Sequence, residues 1–183
     1  MRRFVLRTNR LVLRPIRLGD LAAVYDCHRQ DAVAVNAGFP SPRSIEDSRA
    51  YVASRVDAWK TVPPPVLTFS ILTKAGAWAG ALSLRWAHPG LGELVYSLHP
   101  EFWGRGYAPE AAAALSDWAF RQGAHRVQAT CWTENKRSAA VLRKIGLRRE
   151  GRLRGYLRRG DWVRDEHMWG MTRPDWERAR IGA

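Results

Sequence analysis

The sequence predicts an α/β fold: one mixed sheet, mostly antiparallel with a single parallel pair, flanked by about four helices. Three observations predict it. Apolar and polar residues alternate through several short runs, as strands with two unlike faces require. Two of those runs, Val66 to Leu72 and Ala77 to Trp86, are joined by the short turn Lys74-Ala75-Gly76 and so form an antiparallel meander. A further strand, Gly92 to Leu98, is followed by a helical pattern and then by a strand at His125 to Trp132, an order that implies a parallel pair.

Taken in order, Thr8 to Pro15 alternates and reads as a first strand ended by proline. Gly19-Asp20 offers a helix start, with Leu21, Val24 and Tyr25 spaced for one face, and this helix should fade near Asn36-Ala37-Gly38. Phe39-Pro40-Ser41-Pro42 is a turn-rich connector, and Ser44 with Glu46-Asp47 reads as the capped start of a second helix to about Lys60. Pro63-Pro64-Pro65 then stiffens the approach to the meander.

From Gly92 to Leu98, Leu94, Tyr96 and Leu98 share one face and Glu93, Val95 and Ser97 the other, until His99-Pro100 stops the ladder. Trp103-Gly104-Arg105-Gly106-Tyr107-Ala108 places two glycines in the last turn before a helix, and Pro109 suits its first turn. Ala108, Ala111, Ala112, Leu115 and Ala119 fall on one helical face, and Gly123 supplies the stop. Free backbone N–H groups therefore gather at the positive end of a helix dipole, which makes a phosphate cradle. It is not a P-loop, because Gly-Lys-Ser/Thr is absent, nor a dinucleotide fingerprint, because Pro109 stands where Gly or Ala is needed.

Thr133 to Ser138 begins another helix, closed by Gly146. Alternation from Leu147 to Leu157 puts Arg148, Glu150, Arg152, Arg154, Tyr156 and Arg158 on one strand face and Leu147, Leu153 and Leu157 on the other. A turn at Arg159-Gly160-Asp161 leads to a last strand, Trp162 to Met171, and Pro174 is expected to end regular structure.

With 183 residues, 46% of them apolar, one well-buried core is expected, hence a single domain over residues 1–183 with its core at about 8–172. The basic N-terminus lacks the apolar run of a signal peptide, and the longest uncharged apolar stretch, Ala75 to Leu84, is about half what a bilayer span needs. A soluble, cytoplasmic protein with no membrane partner is expected. Cys27 and Cys131 should be reduced, with Cys131 filling a core rather than acting as a nucleophile. The five histidines do not pair at ligand spacing with each other or with the cysteines, so no metal site is expected, and only His99 adjoins the cradle. Thirty Lys and Arg against seventeen Asp and Glu give a net charge of +13, which attracts polyanions such as CoA, nucleic acid or a ribosomal surface, and equally suits a solvated basic exterior.

Phe102 to Ala108, followed by Glu110-Ala111, resembles the acetyl-CoA motif of the GCN5-related N-acetyltransferases (GNAT), more narrowly their RimJ/RimL-like branch, the ribosomal-protein N-terminal acetyltransferases and small-amine relatives. Trp103 at the motif's first place is a habit of that branch. A second signature, Asn135, Ser138, Gly146-Leu147 and Glu150-Gly151, also resembles the family. The resemblance implies the GNAT fold and an acyltransferase that moves acetyl from acetyl-CoA, its cosubstrate, to an amine acceptor. It assigns the coenzyme to Leu98, Trp103, Gly104, Arg105, Gly106, Tyr107, Ala108, Asn135 and Ser138, with a Leu98 N–H freed by a strand bulge facing the thioester oxygen. Asn135 would hold the pantetheine arm and Ser138 would sit beside the sulfur. Phe39 becomes a candidate acceptor contact, or a packed loop aromatic.

Acetyl transfer needs a neutral amine, donors for the oxyanion and a proton for the leaving thiolate. Glu93 is the leading base, standing before apolar Leu94-Val95-Tyr96; the alternatives are an ordinary ion pair or a substrate-orienting charge. The family's usual tyrosine acid would fall on Leu142, which cannot donate, so the role passes to the Ser138 hydroxyl, or Ser138 is a plain helix-start residue. The acceptor could be a protein N-terminus, as of a ribosomal protein, or a small amine such as an amino acid, polyamine or aminoglycoside. A +13 surface disfavours polycations. A non-catalytic acyl-CoA-sensing or nucleic-acid-binding module would keep the cradle without needing Glu93 or Ser138. Strand edges and nine Trp leave room for a homodimer.

Overall fold

The computed structural model describes residues 4–37, 41–159 and 161–181. Its strands are β1 (Leu6–Arg7), β2 (Leu11–Pro15), β3 (Val66–Thr73), β4 (Trp78–His88), β5 (Leu91–Leu98), β6 (Arg126–Trp132), β7 (Arg148–Arg159) and β8 (Trp162–Thr172). The helices are α1 (Leu21–His28), α2 (Asp31–Ala37), α3 (Ile45–Ala58), α4 (Tyr107–Arg121), α5 (Lys136–Lys144) and α6 (Arg173–Ile181). All eight strands join one sheet in the order β1-β2-β3-β4-β5-β6-β8-β7. Every pair is antiparallel except β5–β6.

The main core covers the face that packs α4. Leu67, Phe69 and Ile71 of β3 and Leu82 and Leu84 of β4 meet Ala112, Leu115, Ala119 and Phe120 of α4 there. Each fully buried Leu or Phe contributes roughly 1.5–3 kcal/mol. The alternate residues Thr68, Ser70 and Ser83 point the opposite way. On that face Ser70 donates to Asp20 at the start of α1 (2.7 Å), and Ile16, Val24 and Val52 seat α1 and α3. The Asp20 carboxyl is below the usual carboxylate range: burial alone would raise it, but Arg14, Ser70 and the Arg17 N–H together outweigh burial.

Several boundaries differ from the sequence reading. The strand read from Thr8 to Pro15 is β2 and starts at Leu11, because Thr8 Oγ1 accepts the Leu11 N–H at 2.9 Å and turns the chain; the short β1 precedes it. The helix after Asp20 is broken at Arg29-Gln30, where the Gln30 carbonyl accepts from Val33 and Ala34 and restarts the coil as α2. At α3 the predicted cap holds: Asp47 Oδ2 accepts the N–H groups of Arg43 (2.9 Å) and Ser44 (3.3 Å). Simple alternation fails in β7, which bulges at Arg149–Gly151 and again at Leu153–Leu157, so three residues oppose Asp165. Gly155, at φ 59°, makes the second bulge feasible. Pro174 does not end the regular structure; it stands in the first turn of α6, where a missing N–H costs nothing. These changes raise the helices from about four to six among the described residues. Gly38, Phe39 and Pro40, and so the Phe39 contact, lie outside the described residues.

Candidate active site

β5 and β6 pair only from Leu91 to Glu93, against Arg126 to Gln128. Beyond that point β5 continues with β4 and β6 with β8, and the sheet opens. The opening is a cleft of about 780 Å³. One side is the turn into α4 together with the start of α5; the other is made by α2, β4 and the β7–β8 hairpin.

β5 partitions this cleft by strand alternation. Tyr96 and Leu98 belong to the α4 and α5 side, while Glu93, Val95 and Ser97 face α1 and α2, where Ser97 Oγ lies 3.2 Å from His28 Nε2. The His99 N–H donates to the Ala79 carbonyl at 3.0 Å, which fixes the phase of the ladder. Ser97 and Val95 therefore turn their main-chain groups to β4, and Leu94, Tyr96 and Leu98 turn theirs to the side that β6 has left. A bulge was expected to free the Leu98 amide. Instead the β4–β5 register is unbroken from Leu98 to Gly92 and irregular only between Trp86 and His88, so divergence of β6 exposes the amide.

Gly104 and Gly106 adopt φ of 74° and 76°, values that only glycine takes without strain. The N–H groups of Gly104, Arg105 and Gly106 make no backbone hydrogen bond among the described residues. Tyr107 and Ala108 follow as the first helical residues, whose N–H groups have no intrahelical acceptor. A Cβ added at Gly104 would meet open space. Trp103 differs: its N–H is consumed by the Pro100 carbonyl (3.0 Å), and its indole N–H donates to the Leu98 carbonyl at 2.8 Å, pinning the turn to the end of β5. Arg137 stacks over that indole at 4.7 Å.

Gly104, Gly106, Tyr107, Ala108, Asn135 and Ser138 all line the cleft, as do Glu93, Leu98 and Trp103. Arg105 does not; its guanidinium lies 5.6 Å over Phe102 and its carbonyl accepts from Arg10. Asn135 Oδ1 caps α5 by accepting the Ser138 N–H (2.9 Å), which leaves Nδ2 as its donor toward a ligand. His99 is held outside the cleft by Asp26 and Glu101. Leu142 is wholly buried.

Polar groups that the sequence did not single out complete the site. Tyr96 Oη lies 2.8 Å from Ser138 Oγ. Burial drives the Tyr96 phenol well above its ordinary pKa, with the Ser138 hydrogen bond opposing in part, so it stays protonated. Burial likewise raises the Cys131 thiol on the cleft wall, which keeps it a poor nucleophile. Glu93 is 7% exposed, and its Oε2 accepts from Arg85 Nε at 2.9 Å and from Nη2. A second carboxylate, Glu166 on β8, also lines the cleft and accepts from buried Arg164 Nε at 3.0 Å and Nη2 at 2.7 Å. Arg164 Nη1 in turn donates to the Val35 carbonyl of α2 at 2.8 Å. The Arg164-x-Glu166 spacing, two residues apart on one strand face, was the available signal; Tyr96 gave none beyond its place on an apolar face.

A sheet opened at one parallel pair, with unpaired amides at a helix N-terminus and hydroxyls on one side and buried carboxylates on the other, is suited to hold a phosphorylated acyl carrier beside a nucleophile. That is the build of an acyltransferase. The family model described as an acetyltransferase (GNAT) domain matches residues 10–148, and the chain belongs to that family, as an acetyl-CoA-dependent N-acyltransferase. YnaD of Bacillus subtilis strain 168, described as an N-acetyltransferase, is 29% identical over 175 residues, covering 92% of this chain and 97% of that protein. The [ribosomal protein uS5]-alanine N-acetyltransferase of Escherichia coli K12 is 36% identical over 89 residues, 48% of this chain and 45% of that enzyme. A structure of RimL, a ribosomal L7/L12 α-N-protein acetyltransferase in complex with coenzyme A, superposes with a TM-score of 0.81 at 20% identity, covering 92% of this chain and 98% of that one. At that identity the likeness is one of fold. Among the described residues no cluster of His, Cys, Asp and Glu could hold a metal ion, and no helix is long and apolar enough to cross a membrane.

Proposed function

We propose that this acetyltransferase acts on a primary amine presented at the Glu93 side of β5, with a protein N-terminal α-amine as the preferred acceptor and a small amine as the alternative. The observation that carries the reading is the partition made by β5. Hydroxyl donors and free amides lie on one side, a carboxylate lies on the other, and both open into the same cleft.

The residues present fit the CoA diphosphate: the left-handed glycines leave room and the amides from Gly104 to Ala108 supply donors at a helix N-terminus. Asn135 Nδ2 holds the pantetheine arm. Acetyl-CoA supplies the activated acetyl group. Main-chain amides of β5, Leu98 among them, polarise the thioester carbonyl. Glu93 accepts the ammonium proton of the amine, directly or through one water, with Arg85 fixing its orientation. Ser138 Oγ gives a proton to the departing sulfur, the second proton shed by the nitrogen as the amide forms restores the balance, and Tyr96 Oη, kept protonated by burial, holds Ser138 Oγ in place by a hydrogen bond. The relatives named for ribosomal-protein N-termini support the peptide acceptor. The arginine-rich β7–β8 hairpin beside the mouth disfavours a polycationic one.

The test is thiol release from acetyl-CoA against a panel of N-terminal peptides, amino acids, polyamines and aminoglycosides, scored also by mass gain. Turnover confined to peptides with a free α-amine supports the reading; turnover only with small amines transfers it to the alternative. CoA binding with no turnover on any amine would reject catalysis in favour of a sensing module.

A further inference from the structure

We propose that Arg10, together with Thr8, is a positioning residue for the acetyl-CoA site: the turn between β1 and β2 fixes the glycine turn and cancels the charge of Glu110. The inference rests on the reading that the Gly104 to Ala108 turn binds the CoA diphosphate. No atom of Arg10 or Thr8 is needed at the reacting centre.

Glu110 stands in the first turn of α4. An acid there suits the helix dipole, but a full negative charge at that end also opposes a diphosphate drawn to the same field. The structure removes this conflict with residues about a hundred positions away. Glu110 Oε1 accepts from the Thr8 hydroxyl (2.6 Å) and the Arg10 N–H (2.8 Å). Oε2 accepts from Arg10 Nε (2.7 Å) and lies 2.6 Å from Nη2. Every lone-pair direction of the carboxylate is thus occupied from one side. Burial would raise the Glu110 carboxyl, but the Thr8 and Arg10 hydrogen bonds outweigh it and hold the group below the usual carboxylate range, so the charge and its partner persist together at neutral pH.

The same guanidinium also grips the turn itself. Arg10 Nη1 donates to the Arg105 carbonyl at 2.9 Å, and the group lies 5.0 Å over the Tyr107 ring. Its approach to Gly106 is close enough that an added Cβ there would sit 3.2 Å from Arg10 Nη2. Arg10 therefore touches Arg105, Gly106, Tyr107 and Glu110, the residues that aim the amides. An isolated exposed ion pair contributes little. This one is bidentate, includes a main-chain donor and braces a left-handed turn, which is the geometry in which a charge pair matters.

The experiment is calorimetric titration of CoA and acetyl-CoA into the parent protein and four variants, with steady-state rates alongside and thermal melting to confirm folding. Arg10→Gln is expected to weaken CoA about tenfold and to raise the acetyl-CoA KM in step, with kcat at saturation held within about twofold. Glu110→Gln should bind CoA at least as tightly as the parent, since its one oxygen can still accept from the Thr8 hydroxyl and the Arg10 N–H while the freed guanidinium keeps its bond to the Arg105 carbonyl. The double variant Arg10→Gln/Glu110→Gln should recover about half of the tenfold loss on a logarithmic scale, to about threefold weaker than the parent, because the charge conflict is gone while the bond to the Arg105 carbonyl is not restored. Thr8→Val, which keeps both charges, should weaken CoA in the same direction by a smaller factor and serves if Arg10→Gln does not fold. An unchanged CoA affinity in Arg10→Gln overturns the inference. So does a double variant as weak as Arg10→Gln, which would leave the charge of Glu110 no part in CoA binding. A parent protein that binds no CoA removes the site reading and this inference with it, whereas either of the other failures leaves the site reading standing.

Discussion

The wall of the cleft that we assign to CoA, from Gly104 to Ser138, is made mostly of main-chain donors whose directions are set by local sequence. The wall that we assign to the acceptor is made of side chains brought together by distant strands: Glu93 with Arg85, and Glu166 with Arg164 and α2. The first wall needs only glycines, a proline and a helix start, and tolerates a fixed ligand. The second consists of buried carboxylates paired with arginines, Arg164 buried and Arg85 exposed, whose balance changes when one partner is replaced. A site divided in this way can keep one cosubstrate while its acceptor varies.

The largest effect expected from breaking the acceptor wall is chemical. Glu93→Gln should lower kcat/KM by about 10²–10⁴-fold while calorimetry shows CoA affinity unchanged. A small loss with Glu93→Gln and a large one with Glu166→Gln would move the base across the cleft to β8.

The next effect is on stability with pH, and it too belongs to the acceptor side. His28, behind Ser97, is 7% exposed, and burial pushes its pKa down to about 4 from 6.5. Above pH 6.5 it is neutral in both folded and unfolded chains and contributes no pH dependence. As pH falls from 6.5 to about 4 the unfolded chain takes up the proton and the folded one does not, so stability drops by on the order of 3 kcal/mol and the loss is complete below that. Urea titrations of the parent and His28→Gln across this window should show a flatter profile for the variant.

On the CoA side, Ser138→Ala and Tyr96→Phe should each reduce kcat by about 10–100-fold without weakening CoA. Their combination should cost little more than the worse single change, because the two hydroxyls act as one donor. Additive losses in the kinetics would separate them. The smallest effect is expected from Gly106→Ala: left-handed backbone disfavours the Cβ by about 1–2 kcal/mol, which should raise the acetyl-CoA KM several-fold and leave kcat near that of the parent.

Legibility in the sequence followed the same division. Gly104 and Gly106 were readable because a left-handed turn needs glycine, and Asn135 and Ser138 because they match the second signature that the sequence shares with the family. The antiparallel meander and the single parallel pair followed from strand spacing. By contrast, Arg85 reaches Glu93 across a hairpin, Arg10 reaches Glu110 across most of the domain, and Arg164 reaches α2; no local pattern encodes these pairings. Tyr96 sat on a face read as apolar, and its hydroxyl became visible only when α5 placed Ser138 above it. The arginines of β7 read as one continuous stripe because bulges are not written in alternation, and Pro174 was misread because proline that stops a strand also starts a helix.

Among the described residues, the three residue pairs joining β5 to β6 are also the only ladder between the two halves of the sheet. Amide deuterium uptake should accordingly report this short seam as the first part of the central sheet to breathe, ahead of the long β4–β5 and β6–β8 ladders. Whatever bridges the gap stitches the halves together, so occupancy of the cleft should protect amides well outside the residues it touches.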